Sequence, residues 1–98
     1  MIGQAPRADS FTELFGWPDS VVPLRTDGSD AVEVVRDFAL NPQRVSEISR
    51  RNATFALRRH DWLYRWQRVF EIAGLSRSVG MNARERQLNN LADRASAA

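Results

Sequence analysis

Cysteine and lysine are both absent from this chain of 98 residues. The lack of cysteine excludes disulfides, a thiolate nucleophile and a cysteine-based zinc site, and it fits a reducing compartment. No apolar run approaches the roughly 20 residues that span a bilayer. Residues 1–10 also lack the basic region and the apolar stretch of a signal peptide. Together these absences predict a cytoplasmic protein without a transmembrane segment.

All of the positive side-chain charge comes from arginine, which accounts for all fourteen basic residues. Twelve acidic residues leave a net charge of only +2. The distribution is uneven, because residues 44–68 hold seven arginines against Glu47 and Asp61, a local net charge of +5. Such a patch can attract phosphates, nucleic acid or an acidic partner.

Two arginine pairs on one predicted helix are the candidate contacts for a phosphate or a partner. They lie about two helical turns apart, a spacing that allows bidentate contacts to phosphate. The candidates are Arg50, Arg51, Arg58 and Arg59. More often such pairs form a solvated helix face, and docking to another domain is a third interpretation.

Hydrophobic periodicity and capping signals predict a mostly α-helical fold with a minimal β element. We expect an irregular N-terminus over residues 1–10, one domain over residues 11–95 and a tail over residues 96–98. Ser10 and Glu13 predict a capping box for a one-turn helix, and Asn82 and Glu85 predict another. Four longer helices are expected at residues 31–40, 42–59, 62–73 and 82–94, with one short strand within residues 20–24.

The core is expected to come mainly from two of these helices. In the helix over residues 31–40, Asp30 and Glu33 are the predicted capping residues. Its apolar face comprises Ala31, Val34, Val35 and Phe38. In the helix over residues 62–73, the apolar face comprises Trp62, Trp66, Val69, Phe70 and Ala73.

The segment His-Asp-Trp-Leu-Tyr-Arg at positions 60–65 is the most specific motif of the chain. It resembles the C-terminal signature of GT-B-fold glycosyltransferases of group 1, His-Asp-Trp-x-x-Arg. Weaker similarities precede it in the family's order. They are Glu-Leu-Phe-Gly at 13–16, Val-Val-Pro-Leu at 21–24, Asn-Pro at 41–42 and Ile-Ser-Arg-Arg-Asn at 48–52.

This resemblance implies the C-terminal helical portion of a Rossmann-like α/β domain from a nucleotide-sugar-dependent enzyme. Members of the family typically need no bound metal, and we expect no cofactor. No segment of this chain matches the family's glycine-rich acceptor domain. The family's paired glutamates, eight positions apart, are also unmatched, since none of the five Glu here has another eight positions later. No catalytic or donor-binding residue is therefore carried over. We expect a C-terminal fragment that is inactive alone, a degenerate gene remnant or a wrongly started reading frame. A split enzyme, completed by the missing N-terminal glycosyltransferase domain or by another chain that supplies it, is the further alternative.

The signature residues have structural interpretations as well. His60 fits a helix C-terminus, where an imidazole interacts favourably with the free carbonyls. Asp61 is predicted to cap the next helix and to pair with Arg65. Trp62 and Trp66, one turn apart, are predicted to lie in the core, and a platform for stacking sugars is the alternative.

Two other functions remain open at this point. The first is a small arginine-rich helical module that binds nucleic acid. The wide apolar face of the helix at 62–73 argues against it, because such a face suits burial better than a nucleic-acid groove. The second is an interaction module whose exposed tryptophan face docks on a partner.

Overall fold

The computed structural model describes residues 1–97. The described residues divide into two compact units, 1–49 and 50–97. Within the described residues the elements are β1 (Ile2–Gly3), α1 (Asp9–Phe15), β2 (Val22–Pro23), α2 (Ala31–Leu40), α3 (Pro42–Arg59), α4 (Trp62–Ala73) and α5 (Val79–Ala97). The prediction of a mostly helical chain with a minimal β element is confirmed.

In the first unit, β1 and β2 form a parallel pair in which Ile2 lies opposite Val22 and Gly3 opposite Pro23. The Val22 amide donates to the Met1 carbonyl at 2.8 Å, and the Leu24 amide donates to the Gly3 carbonyl at 2.9 Å. Pro23 has no amide hydrogen, so this strand stays as short as its sequence predicted. The partner strand was not foreseen, because residues 1–10 were expected to be irregular.

Two aromatic contacts join three side chains of the first unit. The ring of Phe15 lies 5.3 Å from Phe11 and 5.7 Å from Trp17 between centroids. Trp17 is 8% exposed and Val22 is 5% exposed, and these two residues are the buried core of the first unit. The three aromatic side chains of this cluster are close in sequence, two in α1 and one just after it.

The two predicted caps in this unit have different outcomes, and the one at Ser10 is wrong. The N-cap of α1 is Ala8 without a side-chain hydrogen bond, because the helix begins at Asp9 and therefore encloses Ser10. Asp30 is the N-cap residue of α2, as predicted, but its side chain makes no capping hydrogen bond. Its carboxylate instead accepts from the Arg25 amide at 2.9 Å. The helix bounds at 31–40 and 42–59 are nonetheless confirmed.

In the second unit, α4 packs against α5 around a small aliphatic core. Leu63 is 6% exposed, Leu88 is 2% exposed and Ala92 is fully buried. Helix α4 ends as predicted at Gly74, whose φ of 70° is left-handed. The Leu75 amide donates to the Phe70 carbonyl at 2.9 Å, and the Gly74 amide donates to the Glu71 carbonyl at 3.2 Å, which together form a Schellman motif.

The predicted start of the last helix is wrong by three residues. Helix α5 begins at Val79, and the Met81 amide donates to the Ser78 hydroxyl at 3.1 Å, so Ser78 opens it. Asn82 therefore lies inside the helix. The predicted partner in the capping box, Glu85, accepts from Arg77 at 2.5 Å instead.

The predicted core is also wrong in its main part. Trp62 is 69% exposed, Trp66 is 55% exposed, and Val69 and Ala73 are exposed as well. Only Phe70 of that predicted face is half-buried. The reason is that α4 has a wide apolar arc, of which only the part around Leu63 and Phe70 packs against α5 in this unit. On α2, Val35 is exposed and the other three predicted residues are half-buried.

Candidate functional site

The motif at positions 60–65 forms the junction between α3 and α4. Asp61 is the N-cap of α4, with an extended backbone at φ −67° and ψ 148°. Its carboxylate accepts from the Leu63 amide at 3.0 Å, as a capping residue should, and the predicted cap is confirmed. The same carboxylate accepts from the Arg84 guanidinium of α5 at 2.8 Å. Asp61 thus links the start of α4 to α5.

The hydrogen bond from Arg84 is the main cause that lowers the pKa of Asp61, and the bond from the Leu63 amide adds to it. Reciprocally, Asp61 raises the pKa of Arg84. A carboxylate held in its charged form by two donors is a weak proton acceptor. The geometry therefore assigns Asp61 a structural task rather than acid–base chemistry.

The other polar residues of the motif also hold the junction together. The His60 amide donates to the Ala56 carbonyl at 2.8 Å, which ends α3. The His60 carbonyl accepts from Arg65 at 3.1 Å, and the guanidinium of Arg65 lies 5.1 Å from the centre of the Trp62 ring. Arg65 therefore bonds to the junction and stacks on Trp62, whereas the predicted partner Asp61 is bound by Arg84.

Tyr64, within the same motif, faces back to α3. Its hydroxyl donates to the Leu57 carbonyl at 3.3 Å. Burial is the first cause that raises the pKa of the Tyr64 phenol, and the nearby carboxylates of Glu85 and Asp61 raise it further. Tyr64 is thus a neutral contact between the two helices that the motif joins.

One side of α4 presents large apolar side chains to solvent. We call this side the aromatic face; it comprises Trp62, Trp66, Val69 and Ile72. Ile72 is the most exposed of them at 73%. With about 100° between successive residues, the four side chains fall within an arc of about 120°. Exposed apolar surface of this kind marks an interaction site when its members are contiguous.

An open groove of about 440 Å³ lies beside the aromatic face, between α4 and the start of α5. Its lining is mainly apolar and comprises Leu63, Trp66, Phe70 and Met81, with Ser78, Gly80 and the Asp61–Arg84 ion pair. We call it the α4–α5 groove. Trp66 belongs to both the groove and the aromatic face, so the two form one continuous surface. Its volume is in the range of ligand-binding clefts.

The arginine pairs predicted as phosphate contacts have differing surroundings. Arg58 donates to Asp93 at 2.7 Å, and the guanidinium of Arg59 lies 4.6 Å from the centre of the Phe55 ring. The Arg50 carbonyl accepts from the Thr54 hydroxyl at 2.8 Å, and Arg51 is half-buried. A shared grip on a phosphate by these four residues stays a prediction.

Charge distinguishes the two units. Residues 50–98 contain ten arginines against four acidic residues, a net charge of +6, whereas residues 1–49 contain four arginines against eight acidic residues, a net charge of −4. Each acidic residue of the second unit is paired with an arginine. The pairs are Arg58–Asp93, Arg68–Glu71, Arg77–Glu85 and Arg84–Asp61. The positive surplus therefore lacks balancing carboxylates within its own unit.

Sequence reasoning missed Arg84, Met81 and Ile72 as members of this surface. Ile72 had a detectable signal, because it follows Val69 by three positions on the same helix. Arg84 and Met81 reach the site through the packing of α5 on α4, which no local pattern specifies.

Comparison with protein-family models, with curated proteins and with solved structures gives no match. The resemblance to glycosyltransferases therefore depends on the sequence motifs alone. Among residues 1–97, no cluster of three or more His, Asp or Glu side chains is arranged to hold a metal ion. In the same part of the chain, no helix is both long and apolar enough to cross a membrane.

Proposed function

We propose that this chain is the C-terminal part of a nucleotide-sugar-dependent glycosyltransferase of the GT-B fold and works with a second protein domain that holds the donor site. The observation that carries the proposal is the exposed aromatic face of α4, which begins inside the signature motif. Two exposed tryptophans one turn apart form a surface that is favourable to cover.

The chemistry of the motif supports a structural and docking role. His60 ends α3, Asp61 caps α4, and Arg65 bonds to the junction and stacks on Trp62. None of these contacts presents a reacting group to solvent. The motif instead fixes the direction of α4 and hence the side on which Trp62 and Trp66 emerge.

Sugar transfer requires the donor and the acceptor to be enclosed and aligned together. The groove beside α4 is open and mainly apolar, and its only charged groups neutralise each other. A nucleoside diphosphate would find no concentrated positive charge there. We therefore assign donor binding and catalysis to the partner domain, and docking to this chain.

The test is a reconstitution. The tagged chain is used to capture its partner from cells that produce the chain, and mass spectrometry identifies the captured partner. Transfer of labelled sugar from nucleotide sugars by that partner is then measured with and without the chain. We expect a partner with a nucleotide-sugar domain whose transfer rate rises when the chain is added. The Trp62→Ala/Trp66→Ala double variant should not raise it.

The matched control is Val32→Ala/Val35→Ala, which removes two exposed apolar side chains from α2 in the other unit. This control should support transfer like the unaltered chain. A partner without sugar-transfer activity, an activity that ignores the chain, or a chain that captures no partner would each contradict the proposal.

The same face favours a second candidate, a protein-interaction module that serves a partner of another class. Capture that depends on Trp62 and Trp66, by a partner with no nucleotide-sugar domain, would select this candidate over the first.

A further inference from the structure

We propose that the α4–α5 groove and the aromatic face receive an amphipathic helix of the partner that has acidic residues along its edges. This inference rests on the proposed function, because it specifies the partner surface which that function requires. Three features of the second unit carry it: the shape of the groove, its apolar lining and the net positive charge of the unit as a whole.

The shape favours a helix as the occupant. The groove runs between two helices and has an apolar lining that includes Leu63, Phe70 and Met81. A single helix face with apolar side chains at positions i, i+3, i+4 and i+7 is the common way to fill such a groove. Trp66 lies at the border, where it can contact both a side chain inside the groove and the flank of the incoming helix.

The charge specifies the edges of that helix. Arg84 lines the groove but is paired with Asp61. The positive charge at the aromatic face therefore comes from Arg65, whose guanidinium lies over Trp62 and bonds to the His60 carbonyl. The four acidic residues of this unit are already paired, so its net charge of +6 attracts acidic side chains from outside. Complementary charge of this kind speeds association and selects against basic partners.

The same charge disfavours a second copy of the chain as the occupant. In a two-fold symmetric dimer each surface meets its own counterpart. Two aromatic faces would then bring two surfaces with a surplus of arginine together, and their repulsion opposes association.

A binding assay with two synthetic peptides tests the proposal. Both are fluorescein-labelled amphipathic helices of about five turns with the same apolar face; one has glutamate along its edges and the other has lysine. Fluorescence anisotropy measures their binding to the full chain. We expect the glutamate peptide to bind and the lysine peptide to bind at least about tenfold more weakly.

Three variants locate the site. Trp66→Ala should weaken binding of the glutamate peptide by about 30-fold or more, as expected for a tryptophan at the centre of an interface. Arg65→Glu should weaken it by about tenfold. Arg86→Glu is the matched control and should change it little, because Arg86 lies about 200° around α5 from Arg84. Trp66, Arg65 and Arg86 are all exposed, so these variants should fold, and circular dichroism checks that they do.

Several outcomes would overturn the inference. They are no binding of the glutamate peptide up to about 1 mM, equal binding of both peptides, or equal losses in Arg65→Glu and Arg86→Glu. Binding to phosphatidylglycerol vesicles in place of the peptide would assign the face to an anionic membrane surface. A concentration-dependent dimer in light scattering, abolished by Trp66→Ala, would assign it to a second copy.

Failure here can be told apart from failure of the proposed function. If the captured partner transfers sugar only with the chain but the peptide results fail, the function stands and the partner chemistry is wrong. If the glutamate peptide binds as expected but the captured partner has no such activity, the docking chemistry stands and the glycosyltransferase assignment fails.

Discussion

The two units of this chain use tryptophan in opposite ways. In the first unit, which is acidic, Trp17 is 8% exposed and contacts Phe15. In the second unit, which is basic, Trp62 and Trp66 stay exposed while Leu63, Leu88 and Ala92 form the core. The difference teaches that residue type alone does not separate core from exposed surface; the available packing partners do.

The geometry of α4 explains why Trp62 and Trp66 are exposed. Helix α4 needs only a narrow line of contact with α5, and Leu63 provides it at the first turn. Trp62 is the residue before Leu63, and one step along a helix turns a side chain by about 100°. The centre of the aromatic face therefore lies about 120° around α4 from Leu63.

The largest expected effect is the difference in free energy of unfolding between a variant of the buried tryptophan and a variant of an exposed one. Trp17→Ala should lower the free energy of unfolding by about 4 kcal/mol, because it empties a packed site. Trp66→Ala should change it by less than about 0.5 kcal/mol, because the side chain is mostly in water. Urea unfolding followed by circular dichroism measures both.

Equal losses of stability in these two variants would contradict the contrast between a buried Trp17 and an exposed Trp66, since Trp66 would then belong to the core. Trp62→Ala is an internal check, because its side chain is at least as exposed as that of Trp66. It should behave like Trp66→Ala.

The next effect tests whether the second unit depends on its aliphatic core. Leu88→Ala should cost about 3 kcal/mol, as expected when a fully buried leucine is truncated. Leu91→Ala on the same helix is the control; it is 38% exposed and should cost less than about 1 kcal/mol. The same urea experiment distinguishes them, and a larger loss for Leu91 would mean that α5 presents a different side to α4.

The sequence was sufficient for features that depend on neighbouring residues. The bounds of α2, α3 and α4 were predicted correctly, because Asn41, Pro42, Asp61 and Gly74 are strong local signals. The cap at Asp61 and the helix end at His60 follow from the same kind of signal. These residues form the scaffold of the candidate site.

The remaining features depend on packing between distant residues and could not be predicted. Arg84 meets Asp61 across 23 positions, and Ile2 meets Val22 across a helix and a turn. The predicted apolar face of α4 was real, but periodicity cannot tell whether another element covers it. The aromatic face and the groove became apparent only when α5 had been placed.

A smaller effect is expected from the charge of Asp61. Its pKa is lowered in the folded chain, so the stabilisation is present above the unfolded value, near 3.9, and is lost as the pH falls through the folded value. Asp61→Asn keeps a capping side chain but removes the charge. We expect the variant to be less stable at neutral pH by no more than about 1 kcal/mol, because the Arg84 side chain is nearly half exposed and water screens the pair. The difference should shrink as the pH falls through the folded pKa.

Urea midpoints measured between pH 2 and pH 7 give this difference. A gap between the two proteins that stays constant over the whole range would mean that Asp61 stabilises α4 through its cap alone, without the bond to Arg84.

The smallest effect compares two ion pairs within the basic unit. Arg77 and Glu85 are about one-third exposed and 2.5 Å apart, whereas Arg68 and Glu71 are more than half exposed and 3.1 Å apart. Exposed pairs contribute little because water and salt screen them. Arg68→Ala should therefore change the free energy of unfolding by no more than a few tenths of a kcal/mol, and Arg77→Ala should cost about 1 kcal/mol.

Repeating both unfolding curves in high salt sharpens the test, because the cost of Arg77→Ala should persist while any effect of Arg68→Ala disappears. Equal costs would mean that the positive surplus of this unit, rather than the individual pairs, governs its stability.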